Sequence, residues 1–168
     1  MSILIDRVAG PTPGLAAFLL AHHDDMAGTA PPESQHALSL DRLLAPGVRL
    51  FVARDGDDLV ATGVLAPLAE GHEELKSMRT EPARRGQGLG RAMLDALLAD
   101  ARSRGIRRIS LETGSAEFFR PAHALYARAG FVECAPFGSY LPDPHSTFMT
   151  VELGDETQSG PSGAIMEG

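Results

Sequence analysis

The chain has a single cysteine, Cys134, a single lysine, Lys76, and no apolar run long enough to cross a bilayer. One cysteine cannot close an internal disulfide, which agrees with a reducing compartment. On its own Cys134 reads as a small buried hydrophobe as readily as a nucleophile. A membrane-spanning helix needs about 20 consecutive apolar residues. Met1 to Val8 carries Asp6 and runs into Gly10-Pro11-Thr12-Pro13, so the apolar stretch of a secretory leader is missing. A surplus of positive charge is missing too: 22 acidic residues stand against 15 basic ones, a net charge of −7. Nucleic acids are held by basic faces, so neither they nor membranes are expected partners, and a cytoplasmic location is. A metal is not expected either. His22-His23-Asp24-Asp25 is rich in ligand types, but adjacent residues point to different sides and no second cluster has ligand spacing.

What is present is enough for one hydrophobic core. The 168 residues are 43% hydrophobic, the size and balance of one globular domain. Ile3 to Val8 suits a first strand. Leu15, Phe18 and Leu19, and then Leu40, Leu43 and Leu44, recur at helical spacing. Leu50 to Ala53 and Leu59 to Leu65 flank Asp55-Gly56-Asp57-Asp58 as a hairpin. A fourth strand runs from about Glu73 to Thr80 and stops at Pro82. Leu89, Met93, Leu94, Leu97, Leu98 and Ala101 share one face of a strong amphipathic helix that Gly105 ends. Ile109 and Leu111 mark a fifth strand, Glu117 to Ala129 a second amphipathic helix, Phe131-Val132 the start of another strand, and Thr147 to Leu153 the last. Residues 154–168, rich in Gly and Ser, suit a disordered tail. The order predicts an α/β layered fold around one central sheet, with residues 1–153 as a single domain.

The chemically informative segment is Arg84-Arg85-Gly86-Gln87-Gly88-Leu89-Gly90-Arg91, between the fourth strand and the strong helix. Glycines let backbone turn sharply and approach a ligand. Free N–H groups at a helix start favour anions, and flanking arginines add charge-assisted contacts. Together these describe a pyrophosphate cradle. A P-loop would need Lys-Ser/Thr after the last glycine, where Arg91-Ala92 stands. A dinucleotide fingerprint counted from Gly86 meets Arg91 at its third glycine position, although Glu112 sits about where a ribose-binding acid would.

Arg85-Gly86-Gln87-Gly88-Leu89-Gly90 resembles the Arg/Gln-x-x-Gly-x-Gly/Ala signature of the GNAT acetyltransferase superfamily. Downstream, Ala122-His123-Ala124-Leu125-Tyr126-Ala127-Arg128-Ala129-Gly130-Phe131 resembles its second signature, Ala-x-x-Leu-Tyr-x-x-x-Gly-Phe. The resemblance covers about residues 48 to 153, while the first 45 match in pattern alone. It implies a twisted, mostly antiparallel sheet of six to seven strands with about four helices and splayed fourth and fifth strands. It also implies acetyl-CoA as cosubstrate, with pantetheine on the backbone around Met78 and Thr80 and pyrophosphate on Arg85, Gly86, Gln87, Gly88, Leu89, Gly90 and Arg91. Many members carry Asn where this chain has Phe119, which cannot hydrogen-bond through its side chain.

Acyl transfer to an amine must remove a proton from the ammonium, stabilise an oxyanion and protonate a thiolate. Glu74 stands where some family members place a catalytic Glu, and it suits the general base; a surface strand acid is the plain alternative. Backbone N–H near Met78 suits the oxyanion. Tyr126, at the tyrosine of the second signature, suits the general acid, against ordinary helix packing. Lys76 shares a strand face with Glu74 if the strand is regular. It would then bind a substrate carboxylate or tune Glu74, or simply be solvated. Glu33 and His36, in the segment bordering the acceptor side, are candidate substrate contacts or helix caps. The expected function is an N-acetyltransferase acting on a small amine such as an amino acid or related metabolite, by direct attack in a ternary complex. The alternative is a catalytically inactive CoA-binding sensor or assembly module, with a nucleotide-binding oxidoreductase third. The family's fold also admits a homodimer.

Overall fold

The computed structural model describes residues 3–8, 10, 14–19 and 40–154. Seven strands form one sheet: β1 (Ile3–Val8), β2 (Arg49–Asp55), β3 (Asp58–Ala69), β4 (His72–Thr80), β5 (Arg108–Gly114), β6 (Val132–Glu133) and β7 (Ser146–Glu152). Their order across the sheet is β1-β2-β3-β4-β5-β7-β6. Every neighbouring pair is antiparallel except β4 and β5. A parallel pair needs a crossover, and the 15-residue helix Leu89–Ser103 supplies it. The helices are α1, of which residues 15–19 are described, α2 (Leu40–Leu43), α3 (Leu89–Ser103) and α4 (Arg120–Arg128).

The sheet is covered on both faces. On one, α3 buries Leu89, Met93, Leu94, Leu97, Leu98 and Ala101 against Leu75, Ile109, Leu111 and Met149. These are the six residues that the helical spacing groups together. Each fully buried Leu or Met contributes roughly 1.5–3 kcal/mol, so this face carries most of the driving force. A charged chain seals its rim. Arg49 makes two bonds to Asp100 (2.9 and 2.8 Å), and Arg104 bridges Asp100 (3.0 Å) and both carboxylate oxygens of Glu73 (2.8 and 2.9 Å). The other face packs Leu50, Val52 and Val64 against Leu15 and Leu43.

Boundaries depart from the sequence pattern where proline intervenes. β3 runs on to Ala69, past the expected Leu65, because Pro67 sits at an irregularity of the β3–β4 ladder where a missing N–H is tolerated. The helix expected from Glu117 begins as a separate 3₁₀ turn, Glu117–Phe119. The α-helix starts at Arg120 because Pro121 is suited to a first turn. β6 has two residues. No helix among the described residues is long and apolar enough to cross a membrane. The expected tail, the His22–Asp25 cluster, Glu33 and His36 lie outside the described residues, apart from Gly154.

Candidate active site

β4 and β5 part company half-way along. Their ladder joins His72–Leu75 to Arg108–Leu111 and ends there, while β4 continues to Thr80 and β5 pairs on its other side with β7 as far as Gly114. In the unpaired half, β4 carries a bulge. The β3–β4 register slips between Thr62 and Val64, and Ser77 adopts a positive φ of 52°. Thr62 Oγ1 donates to the Ser77 carbonyl at 2.9 Å and pins the distortion. A bulge reverses the alternation of side chains. Before it, Leu75 faces α3 while Glu74 and Lys76 face the opposite side; after it, Met78 packs into the α3-side core. The shared face of Glu74 and Lys76 survives because both precede the slip.

At the far end of β4, a 3₁₀ turn (Pro82–Arg84) leads into the glycine loop. Arg84 is tied to Asp55 (2.8 Å) and Asp58 (3.6 Å) and so anchors the loop. Arg85, Gly86, Gln87, Gly88 and Arg91 are exposed, and Arg91 pairs with Asp95 at 3.0 Å. Gly86 and Gly88 both have φ of +82°, a left-handed conformation that side chains resist, and a Cβ on either would meet no atom within 4 Å. Gly88 is the N-cap of α3, with no side chain capping the helix and no acid in its first turn. The first-turn N–H groups and the helix dipole thus point into open space. This cradle fits a pyrophosphate. Gly90 joins the two sequence motifs: a Cβ there would stand 3.4 Å from Leu125 Cδ2 and 3.8 Å from Thr80 Oγ1.

On the opposite face lies a compact polar cluster. Glu74 is buried, and its Oε2 accepts hydrogen bonds from Tyr140 Oη (2.5 Å) and Lys76 Nζ (3.2 Å). Lys76 Nζ also donates to Tyr140 Oη at 3.3 Å. The Tyr140 ring meets Phe137 and Phe148 at centroid distances of 5.2 and 5.5 Å. Burial, the hydrogen bond to Glu74 and the charges of Glu74 and Glu112 push the Tyr140 phenol well above its ordinary value. It therefore stays a donor throughout the working pH range. Alongside, Ser110 is the register partner of Glu74 and bonds both His72 Nε2 (2.7 Å) and Thr150 Oγ1 (2.9 Å). Burial and Arg108 hold His72 below its usual value against the pull of Glu74. The adjacent acid, Glu73, faces the other way and is spent on Arg104. Strand alternation thus sends two equally buried carboxylates to opposite faces, Glu73 to Arg104 and Glu74 to Tyr140 and Lys76. Among the described residues no three His, Cys, Asp or Glu side chains are grouped to hold a metal ion.

Residues 16–131 match the model of the acetyltransferase (GNAT) family. This chain belongs to that family. It is 40% identical over 153 residues to the uncharacterized N-acetyltransferase YsnE of Bacillus subtilis, covering 91% of this chain and all of that one. It is also 41% identical over 124 residues to an IAA acetyltransferase of Azospirillum brasilense, 73% of this chain and 80% of the relative. Among solved structures, a Klebsiella pneumoniae protein assigned to the acyl-CoA N-acyltransferases superposes with a TM-score of 0.72 at 31% identity. That match spans 90% of this chain and 98% of the other. A Bacillus subtilis acetyltransferase crystallised with CoA shares the fold, with a TM-score of 0.68 at 16% identity over 91% of this chain and all of the other. The GNAT sheet, with its parting fourth and fifth strands, is therefore the architecture seen here, and acetyl-CoA is the cosubstrate of the family.

Tyr126 stands on α4, buried in the α3-side core, with its ring 5.6 Å from that of Phe131. Burial pushes its phenol up, so it too stays protonated. Among the described residues its hydroxyl makes no hydrogen bond. Tyr126 and Glu74 thus occupy opposite faces of the sheet, and the gap between β4 and β5 is where those faces meet. Phe119, the departure from the family's usual Asn, packs over the end of β5: a Cβ on Gly114 would fall 2.0 Å from Phe119 Cε2. Apolar packing occupies that place here. Sequence reading missed Tyr140, which sits in a loop with no periodicity and no motif. Its one signal was scarcity, since the chain has two tyrosines.

Proposed function

We propose that the protein moves the acetyl group of acetyl-CoA to the amine of a small molecule, an amino acid or related metabolite, by direct attack in a ternary complex in the cytoplasm. One observation carries this reading: a buried carboxylate, Glu74, is held on the sheet face opposite α3, beside the gap between β4 and β5. That relatives at about 40% identity bear N-acetyltransferase names supports nitrogen as the acceptor atom.

In this reading Met78 and Thr80 offer backbone groups to pantetheine, while the N–H groups of Gly86 to Gly90, with Arg85, Gln87 and Arg91, hold the pyrophosphate. Acetyl-CoA supplies an activated acyl carbon joined to a good leaving group. Glu74 takes a proton from the substrate ammonium, which makes its nitrogen nucleophilic. The Met78 N–H donates to the acyl oxygen as negative charge develops there. Tyr126 donates its phenolic proton to the departing sulfur. With a phenol weakened as an acid by burial, donation to a thiolate (ordinary thiol value about 8.5) is uphill, so it accompanies bond breaking rather than preceding it. Glu33 and His36 remain proposed acceptor contacts.

The test is thiol release from acetyl-CoA with a panel of amino acids, polyamines, peptides and alcohols, with products identified by mass. Amine-dependent release giving an N-acetyl product is expected. Tight CoA binding with no release from any amine would replace the enzyme reading with that of a CoA-binding sensor.

A further inference from the structure

We propose that Tyr140 is a positioning residue for acyl transfer, holding one oxygen of Glu74 so that the other is presented to the acceptor amine. This rests on the assignment of Glu74 as the base. A carboxylate has two oxygens and about four acceptor sites, and here the donors are not shared evenly. Tyr140 Oη and Lys76 Nζ both reach Oε2. Oε1 accepts no hydrogen bond from any described residue. The two donors differ in kind. Lys76 ends a flexible four-carbon stem and divides its donors between Glu74 and Tyr140. Tyr140 has two side-chain torsions, and its ring is wedged edge-on against Phe137 and Phe148. Phe148 belongs to β7 and lies opposite Glu112 on β5, so the wedge is built on paired strands rather than on the loop alone. The sheet thereby fixes the ring, the ring fixes Oε2, and Oε1 is left with one direction.

Tyr140→Phe keeps the ring contacts and deletes the donor. Misplacing a reacting group by about 1 Å costs up to about a hundredfold, so kcat should fall between roughly tenfold and a hundredfold. KM for acetyl-CoA should hold, while losing a hydrogen bond to a buried carboxylate lowers Tm by a few degrees. A packing role alone would not split the parameters in that way. The decisive comparison is a double-mutant cycle with Glu74→Gln. If Tyr140 acts through Glu74, Tyr140→Phe should lower kcat no further once Glu74 is gone. If Glu74→Gln lowers kcat and Tyr140→Phe does not, the positioning role is wrong while the base assignment stands. If the two losses multiply, the hydroxyl acts on substrate directly and the proposal also fails. If Glu74→Gln leaves kcat intact, the base assignment itself falls and takes the proposal with it. Should Tyr140→Phe fail to accumulate, Tyr140→Leu, which fills part of the wedge and carries no side-chain donor, is put through the same cycle.

Discussion

Replacing Gly88 with valine separates the ligand role of the glycine loop from its backbone role, because the molecule contains its own control. Gly88 and Gly105 bracket α3, both have φ of +82°, and a Cβ on either would meet nothing within 4 Å. An ordinary residue in this conformation costs roughly 1–2 kcal/mol, and a β-branched one stands at the upper end. For a domain of this size that is a loss of roughly 2–4 °C in Tm per kcal/mol, and both variants should show it alike. They should differ in affinity. Gly88 is the N-cap, and side-chain atoms there project where a pyrophosphate would meet the first-turn N–H groups. Hydrogen bonds to a charged group contribute about 1.5–3 kcal/mol each. Losing two weakens binding by about 3–6 kcal/mol, or about a hundredfold to ten-thousandfold at 1.4 kcal/mol per decade. Calorimetric titration with CoA should therefore show binding lost in Gly88→Val and retained in Gly105→Val. Equal affinity in the two variants would refute the pyrophosphate assignment.

Tyr126→Phe should leave Tm almost unchanged, since the hydroxyl has no hydrogen bond among the described residues, and should lower kcat about a hundredfold or more with acetyl-CoA affinity intact; full kcat would make the hydroxyl a bystander. Gly114→Ala forces the Phe119 ring from its seat, and overpacking of this kind costs about 1–3 kcal/mol; an unchanged Tm would contradict the packing described for Phe119. The Asp100 carboxyl is raised by burial but brought below its ordinary value overall by Arg49 and Arg104. A depressed folded-state value stabilises fully above the unfolded value, about 3.9, and the stabilisation is lost as pH falls through the folded one. Arg49→Ala should accordingly lower Tm at pH 6, and the gap from the parent should close below pH 4.

Elements with strong periodicity were readable from the sequence in detail. The buried face of α3 consists of the residues that helical spacing selects, and both hairpin strands and β4 lie within a few residues of expectation. The two signatures located the loop and α4, whose contact through Gly90 and Leu125 is a tertiary fact that no spacing expresses. The arrangement around Glu74 was half legible. Period-two alternation places Lys76 beside it, but the bulge at Ser77, which sends Met78 to the other face, depends on a side chain of β3, Thr62. Tyr140 comes from a loop 66 residues away in sequence, and its approach depends on how β7 carries Phe148 beneath it. Contacts of that range are set by packing and leave no local pattern.

The pH dependence of kcat/KM for Glu74→Gln against the parent, with the best amine acceptor, bears most directly on the proposed chemistry. An alkyl ammonium with an ordinary value near 10.4 is almost wholly protonated at neutral pH, where a base is needed most. General-base loss is typically about a hundredfold to ten-thousandfold. The deficit of Glu74→Gln should be of that order near pH 7 and shrink steadily as pH rises and free amine accumulates. Two profiles that overlay from neutral to alkaline pH would contradict the account, and the proton would have to leave by another route.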